Sequence, residues 1–239
     1  MTSLNECVDL IVKANRILAN ERVVDALGHI SCRHPDDPTK FLLSRSRSPA
    51  LVEAGDIQTF NLDGTLLGDD TRRPYLERFI HGAVYESRPE VFSVVHDHSM
   101  EVLPFSVSKT PLRPILHTSG IIGEVVPVWD IRDKWGDTNM LVSSIDQGRD
   151  LAKTMGQNVT ALMRGHGAVV AAPNIVTAVL VAIYLNINAS ALFNAIQLGP
   201  VTYMTPGEVK RSAEDALVSP LAAQRAWDYF LMRAGYKIV

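Results

Sequence analysis

Along residues 4–20 the apolar positions Leu4, Val8, Ile11, Val12, Ile17 and Leu18 recur at helical spacing, which predicts an amphipathic helix. "DALGHISCRHPDDP" then reads as a turn, a short strand and a second turn rich in Asp and Pro. "KFLLSRS" is a strand, and "DIQTFNLDGTLLG" a hairpin turning at Asp63-Gly64. Pro74 suits the first turn of a helix through "YLERFIHGAVYES", which Pro89 stops. The strand "VFSVVHDH" follows, then a short helix in "SMEVLPFSVS" that breaks at Pro104. "LRPILHTSG" and "EVVPVWDI" suggest two more short strands, and "DQGRDLAKTM" a helix over about 146–155. "NVTALMRGHGAVVAA" reads as strand, turn, strand, and helices over about 174–197 and 221–234 finish the chain.

Strands and helices mix here without strict βαβ alternation. Short loops and hairpin signals favour a mainly antiparallel sheet covered by helices. With 239 residues and no repeat or low-complexity tract, one domain over 1–239 is the expectation.

From Gly165 to Gly207 there is no Asp, Glu, Lys or Arg. Its centre, "IVTAVLVAIYLNINASALFNAI", is long enough to raise a membrane span. Thr177, Asn186, Asn188, Ser190 and Asn194 interrupt it, and no basic flank marks a cytoplasmic end. A helix apolar on most sides is otherwise buried in a core or a subunit interface, so a homo-oligomer is expected and a membrane is not. The net charge of −3 leaves no basic footprint for nucleic acid. Cys7 and Cys32 form neither a zinc-ligand spacing nor a disulfide framework, and the N-terminus lacks a basic-then-apolar leader. A reducing cytoplasm is the expected location.

Side chains two apart on a strand point the same way, so His96 and His98 converge while Asp97 faces the other side. Two imidazoles on one face suit a first-row transition metal. His166, between Gly165 and Gly167, is a third candidate, because small neighbours permit a sharp turn or close backbone approach. Glu77, near the start of the helix that feeds the His96 strand, adds an oxygen ligand or a base. His81, one turn on, rivals His166 as a ligand but shares a face with Val84 and Tyr85, which suits packing. Arg45 and Arg47 at a strand end suit a carboxylate or phosphate clamp, with solvated loop charges as the alternative. His29 and His117 sit in turn-flanked strands able to reach the same cleft.

Glu77, then "HGAVYESRPEVFSVVHDHS", then "RGHGAVV" is an ordered set that resembles the class II aldolase/adducin family across about 5–235. The resemblance implies a three-layer α/β/α fold around a mainly antiparallel sheet. It implies a divalent metal (Zn, Mn, Fe or Co) on His96, His98 and His166, with Glu77 both approaching the metal and serving as acid/base. It also implies a tetramer with sites near subunit interfaces.

Sugar-phosphate aldolases of that family carry Gly-Asn, Thr-Gly or Ser-Gly, and Ser-Ser where this chain has Gly28-His29, Ser46-Arg47 and Tyr75-Leu76. "GHIS", "SRSRSP", "PYLERFIHG" and "LRPILHTSG" look instead like the branch of hydroxyaromatic and pyridine dicarboxylate decarboxylases. A flat anionic ring suits arginine forks and an aromatic wall. The expected function is a metal-dependent carbon–carbon lyase, a carboxy-lyase above an aldehyde-lyase. Glu77 and His117 are the catalytic candidates, and His29, Arg45, Arg47 and Tyr75 the substrate-binding ones. Aldol cleavage of a non-phosphorylated substrate is the alternative. Fe(II) oxygenation and a non-catalytic module like the adducin head stand further off.

Overall fold

A computed structural model describes residues 3–214 and 219–238. Helix α1 (Leu4–Asn20) starts at Ser3, whose Oγ accepts the Glu6 amide hydrogen while the Glu6 carboxylate accepts that of Ser3. Of the positions that recur at helical spacing, Ile11, Ile17 and Leu18 are buried, together with Cys7 and Ala14, while Val8 and Val12 are half-buried and Leu4 is exposed.

Strands β1 (His29–Arg33), β2 (Lys40–Ser44), β3 (Ile57–Asn61), β4 (Ser93–Asp97), β5 (Val128–Trp129), β6 (Thr160–Met163) and β7 (Gly167–Ala172) make one sheet in the order β3-β2-β1-β4-β7-β6-β5. Every pairing is antiparallel except β5 with β6. The register sets His29 of β1 opposite His96 of β4, and Asp97 opposite Ala168 of β7. Candidate residues from three distant parts of the chain thus meet at one end of the central strands.

Helices α2 (Arg78–Ser87) and α5 (Ile145–Met155) cover one face, packed on Phe41, Phe60, Val94 and Val169. Helices α1, α6 (Ile175–Leu198) and α8 (Pro220–Arg233) cover the other, packed on Ile30, Leu42, Val95 and Val170. This is the α/β/α sandwich that the family resemblance implies, built on the mainly antiparallel sheet that the pattern predicts. Alternation along β4 therefore sends Val95 and Asp97 to the α6 side and Val94 and His96 to the α2 side. Short helices α3 (Leu103–Val107), α4 (Arg132–Trp135) and α7 (Pro206–Ser212) lie in the connections.

The uncharged stretch becomes α6, whose first half is buried in the core; Phe193 and Leu198 near its end are exposed, the latter at 91%. Its two buried asparagines have partners: Asn186 accepts from the Ser99 hydroxyl. Asn188 accepts the Ile115 amide hydrogen and donates to the Arg113 carbonyl, both at 2.9 Å. A buried amide satisfied in this way costs little and ties the 113–115 connection to the core.

Four elements differ from expectation. Helix α2 begins at Arg78 rather than near Pro74, because Pro74 is held extended in a bridge with Arg45. Pro104 opens α3 instead of breaking it, occupying a first-turn position that needs no amide hydrogen. "LRPILHTSG" forms no strand: His117–Ile122 is a 3-10 turn packed against α6 and α7. The return arm of the Asp63-Gly64 hairpin shrinks to one bridge between Phe60 and Leu66. Helices α4 and α7 had no periodic signal, each being seven residues or shorter.

Candidate active site

Glu77, at the N-cap of α2, faces the end of β4. Its Oε1 accepts the Val142 amide hydrogen at 2.9 Å, which leaves Oε2 3.3 Å from His96 Nε2 and 3.5 Å from His166 Nε2. His98 Nε2 lies 3.2 Å from His96 Nε2 and 3.0 Å from His166 Nε2. Four side chains from α2, β4 and the β6–β7 turn converge on one point.

The other nitrogen of each ring explains why. His96 Nδ1 donates to the Ala168 carbonyl at 3.1 Å and His166 Nδ1 to the Met140 carbonyl at 2.9 Å. His98 Nδ1 faces the Asp25 carboxylate at 3.3 Å. Carbonyls and carboxylates only accept, so each Nδ1 carries a proton and each Nε2 of a neutral ring presents a lone pair. Three lone pairs and a carboxylate oxygen aimed at one another repel unless a cation sits among them. Nitrogen ligands about 2.0–2.1 Å from a metal lie roughly 3.0–3.4 Å apart, and the observed separations match that spacing. The set can hold a divalent metal, and Asp25, Ala168 and Met140 orient its ligands.

The glycines beside His166 do what their size allows. Gly165 turns the chain at φ +65°, and a Cβ on Gly167 would meet the Asp97 carbonyl oxygen at 1.8 Å. Only a bare backbone lets β7 start close enough to β4 to set His166 over His98.

Burial pushes the Glu77 carboxyl up, but His96 and His166 outweigh it and hold the group well below the usual range, ionised. Burial, then His96 and His166, push the His98 imidazole down to about 4, so its lone pair is free at neutral pH.

Beside the cluster opens a cleft of about 280 Å³ lined by Leu27, His29, Arg47, Tyr75, Leu76 and Glu77, among others. The Tyr75 ring lies 4.3 Å from the His29 ring, and its hydroxyl donates to the Arg47 carbonyl. Leu27 and Leu76, exposed at 62% and 47%, give the rim an apolar edge. An apolar slot with one arginine and a carboxylate at its floor suits a flat anionic molecule.

The structure brings His29, Arg47 and Tyr75 together with the four candidate ligands and leaves three candidates outside. Arg45 does not line the cleft; its Nε donates to Asp56 at 2.7 Å, and Asp56 also holds Arg47 at 2.7 Å. The expected two-arginine clamp is thus one structural arginine and one facing the cleft. His81 joins no ligand cluster; it is buried and bonded to His29 and Ser31, as its packed face suggested. His117 is corrected too. Its segment is a 3-10 turn on the α6 side of the sheet, so the ring is exposed and lines another cleft with Tyr203, Glu208 and Arg211.

Sequence reasoning missed Asp25, Asp56 and the 138–142 loop. That loop supplies both the Met140 carbonyl and the Val142 amide, with Met140 at φ +66°. "DALG" carried a turn signal, realised as Asp25 accepting the Leu27 and Gly28 amide hydrogens. Its contact with His98 had no local signal.

The model of the Class II Aldolase and Adducin N-terminal domain matches residues 9–192. The chain belongs to the class II aldolase/adducin family. A protein named "Decarboxylase tropJ" from Talaromyces stipitatus is 33% identical over 195 residues, covering 76% of this chain and 73% of that protein. A "3,4-dihydroxyphthalate decarboxylase" from Arthrobacter keyseri is 29% identical over 240 residues, covering 94% and 92%. Among solved structures, an L-fuculose 1-phosphate aldolase from Glaciozyma antarctica matches with a TM-score of 0.75 at 22% identity, over 95% of this chain and 88% of that one. That likeness concerns the family fold, which the sandwich above shares.

Proposed function

We propose that this family member is a divalent-metal-dependent lyase that decarboxylates a hydroxy-substituted aromatic or pyridine carboxylate. The observation that carries the reading is the position of Glu77. One carboxylate oxygen faces the three histidines, while the residue also lines the cleft of Arg47, Tyr75, Leu27 and Leu76. The relatives named as decarboxylases support the reaction class.

A metal bound on His96, His98 and His166, with the Glu77 carboxylate beside it, would act as a Lewis acid toward negative charge developing on a ring oxygen. The chain's own groups do the rest. Arg47 binds a ring carboxylate, and Tyr75 with the leucine rim packs against the face of the ring and excludes water. Glu77, ionised and with Oε2 outside any backbone bond, takes the proton of a ring hydroxyl beside the departing carboxylate. The carbon–carbon bond breaks, CO2 leaves, and its electron pair stays in the ring. Glu77 returns the proton to that carbon. The exposed apolar end of α6 supports a homo-oligomer, which sedimentation of the purified protein tests directly.

The test is CO2 release from 3,4-dihydroxyphthalate and other ortho-hydroxy aromatic or pyridine carboxylates by metal-loaded protein, with His96→Ala as control. Metal-dependent release that His96→Ala abolishes supports the reading. Bound metal without CO2 release moves the assignment to aldol cleavage of a non-phosphorylated substrate.

A further inference from the structure

Behind His29 runs a chain of buried polar groups that the metal centre does not use. His29 Nδ1 lies 2.6 Å from His81 Nε2, and His81 Nδ1 lies 2.6 Å from Ser31 Oγ. Ser31 Oγ lies 2.7 Å from the Tyr85 hydroxyl, which reaches toward the Phe92 carbonyl at 3.4 Å. His29, Ser31, His81 and Tyr85 are each about 1% exposed or less.

Such a chain has a direction, because each short link holds one proton and each neutral imidazole carries one. If Tyr85 donates to Ser31, then Ser31 donates to His81 Nδ1, and His81 Nε2–H donates to His29 Nδ1. That leaves His29 Nε2–H pointing away from the chain as a donor. If Tyr85 donates to Phe92 instead, every link reverses and His29 Nε2 becomes a lone pair. The far end selects the first arrangement. The Phe92 carbonyl already accepts the Arg33 amide hydrogen at 2.7 Å, whereas its separation from Tyr85 is long for an O–H donor. Ser31 is the nearer acceptor.

We infer that His81 and Ser31 are positioning residues that fix His29 as an Nε2–H donor, so that the cleft reads a ring carboxylate there rather than a hydroxyl. His29 and Arg47 both line the cleft. The two supply a neutral and a charged donor, a pair suited to two adjacent carboxylates on one ring. This inference rests on reading the cleft as a site for an aromatic carboxylate, and its test is independent of turnover.

The test compares binding of phthalate, which offers two carboxylates, with binding of catechol, which offers two hydroxyls and none. Calorimetry is run on metal-loaded wild type, His81→Phe and Ser31→Ala; Ser31→Ala keeps the experiment decisive should the bulkier change fail to fold. Phthalate affinity is expected to fall about tenfold in His81→Phe and several-fold in Ser31→Ala, with catechol affinity unchanged. Equal losses for both ligands would reduce the chain to a scaffold and overturn the inference, as would no loss for either. In the nitrogen spectrum of the labelled protein, His29 is expected with its proton on Nε2; a proton on Nδ1 overturns the direction of the chain. If phthalate fails to bind while CO2 is still released from hydroxyaromatic acids, the inference falls and the decarboxylase reading stands. If phthalate shows the expected split and no CO2 is released, the reverse holds.

Discussion

The Nε2 atoms of His98 and His166 stand 3.0 Å apart across 68 residues of chain, each presenting a lone pair to the other. That contact is favourable only with a cation between them, so metal and fold are linked. Chelation is expected to lower the thermal midpoint and to abolish turnover. Restoring the metal at about a thousandfold excess over its dissociation constant contributes roughly 4 kcal/mol. Calorimetry before and after chelation, with metal content read by mass spectrometry on wild type and His166→Ala, checks this. Unchanged melting and full metal content in His166→Ala would sink it.

Glu77 divides its two oxygens between the backbone and the site. Glu77→Gln can keep the Val142 bond through its carbonyl oxygen but loses the group that accepts and returns a proton. The fold should survive while turnover drops about 10²–10⁴-fold, the range lost with a general acid/base. Steady-state rates alongside a urea titration separate the two effects. Turnover close to wild type would remove Glu77 from the chemistry.

The parts of this site that were legible are those with a local cause. His96 and His98 follow from the two-residue period of a strand, and His166 from the glycines that let β7 approach β4. The orienting partners were not legible, since His166 to Met140 and His98 to Asp25 are contacts made by loops across the fold. His117 was misplaced for a related reason. A β-prone segment after a proline reads as a strand, but packing against α6 and α7 winds it into a 3-10 turn on the opposite face. Arg45 and Arg47 looked alike in sequence because Asp56, which takes both, is nine or more residues away.

That shared partner separates the arginines by function. Arg47 lines the cleft and Arg45 does not. Arg47→Ala is expected to raise KM about tenfold or more for a carboxylate substrate. Arg45→Ala should leave KM nearly unchanged and cost about 1–3 kcal/mol of stability, because buried Asp56 loses a charged hydrogen bond. Kinetics and urea midpoints for the two variants test the split. Equal effects on KM would mean that both arginines act as a clamp after all.

His81 adds a pH dependence to the fold itself. Burial, then the neighbouring His96, push its imidazole down to about 3 from an ordinary 6.5. Between those values the unfolded chain binds a proton that the folded chain lacks, so stability falls as pH falls from 6.5 toward 3. Above 6.5 neither state is protonated there and no such loss operates. His81→Gln has no titrating group at that position, and its stability should decline less over the same range. Urea titrations of chelated wild type and His81→Gln at pH 7, 6, 5 and 4.5 check this, with chelation removing the pH dependence of metal binding. Burial, then His81, hold the His29 imidazole low, so the substitution also weakens the His29 contribution and acts in the same direction. Parallel declines in the two proteins would mean that His81 is protonated in the folded state and that the neutral hydrogen-bonded chain behind His29 does not exist as described.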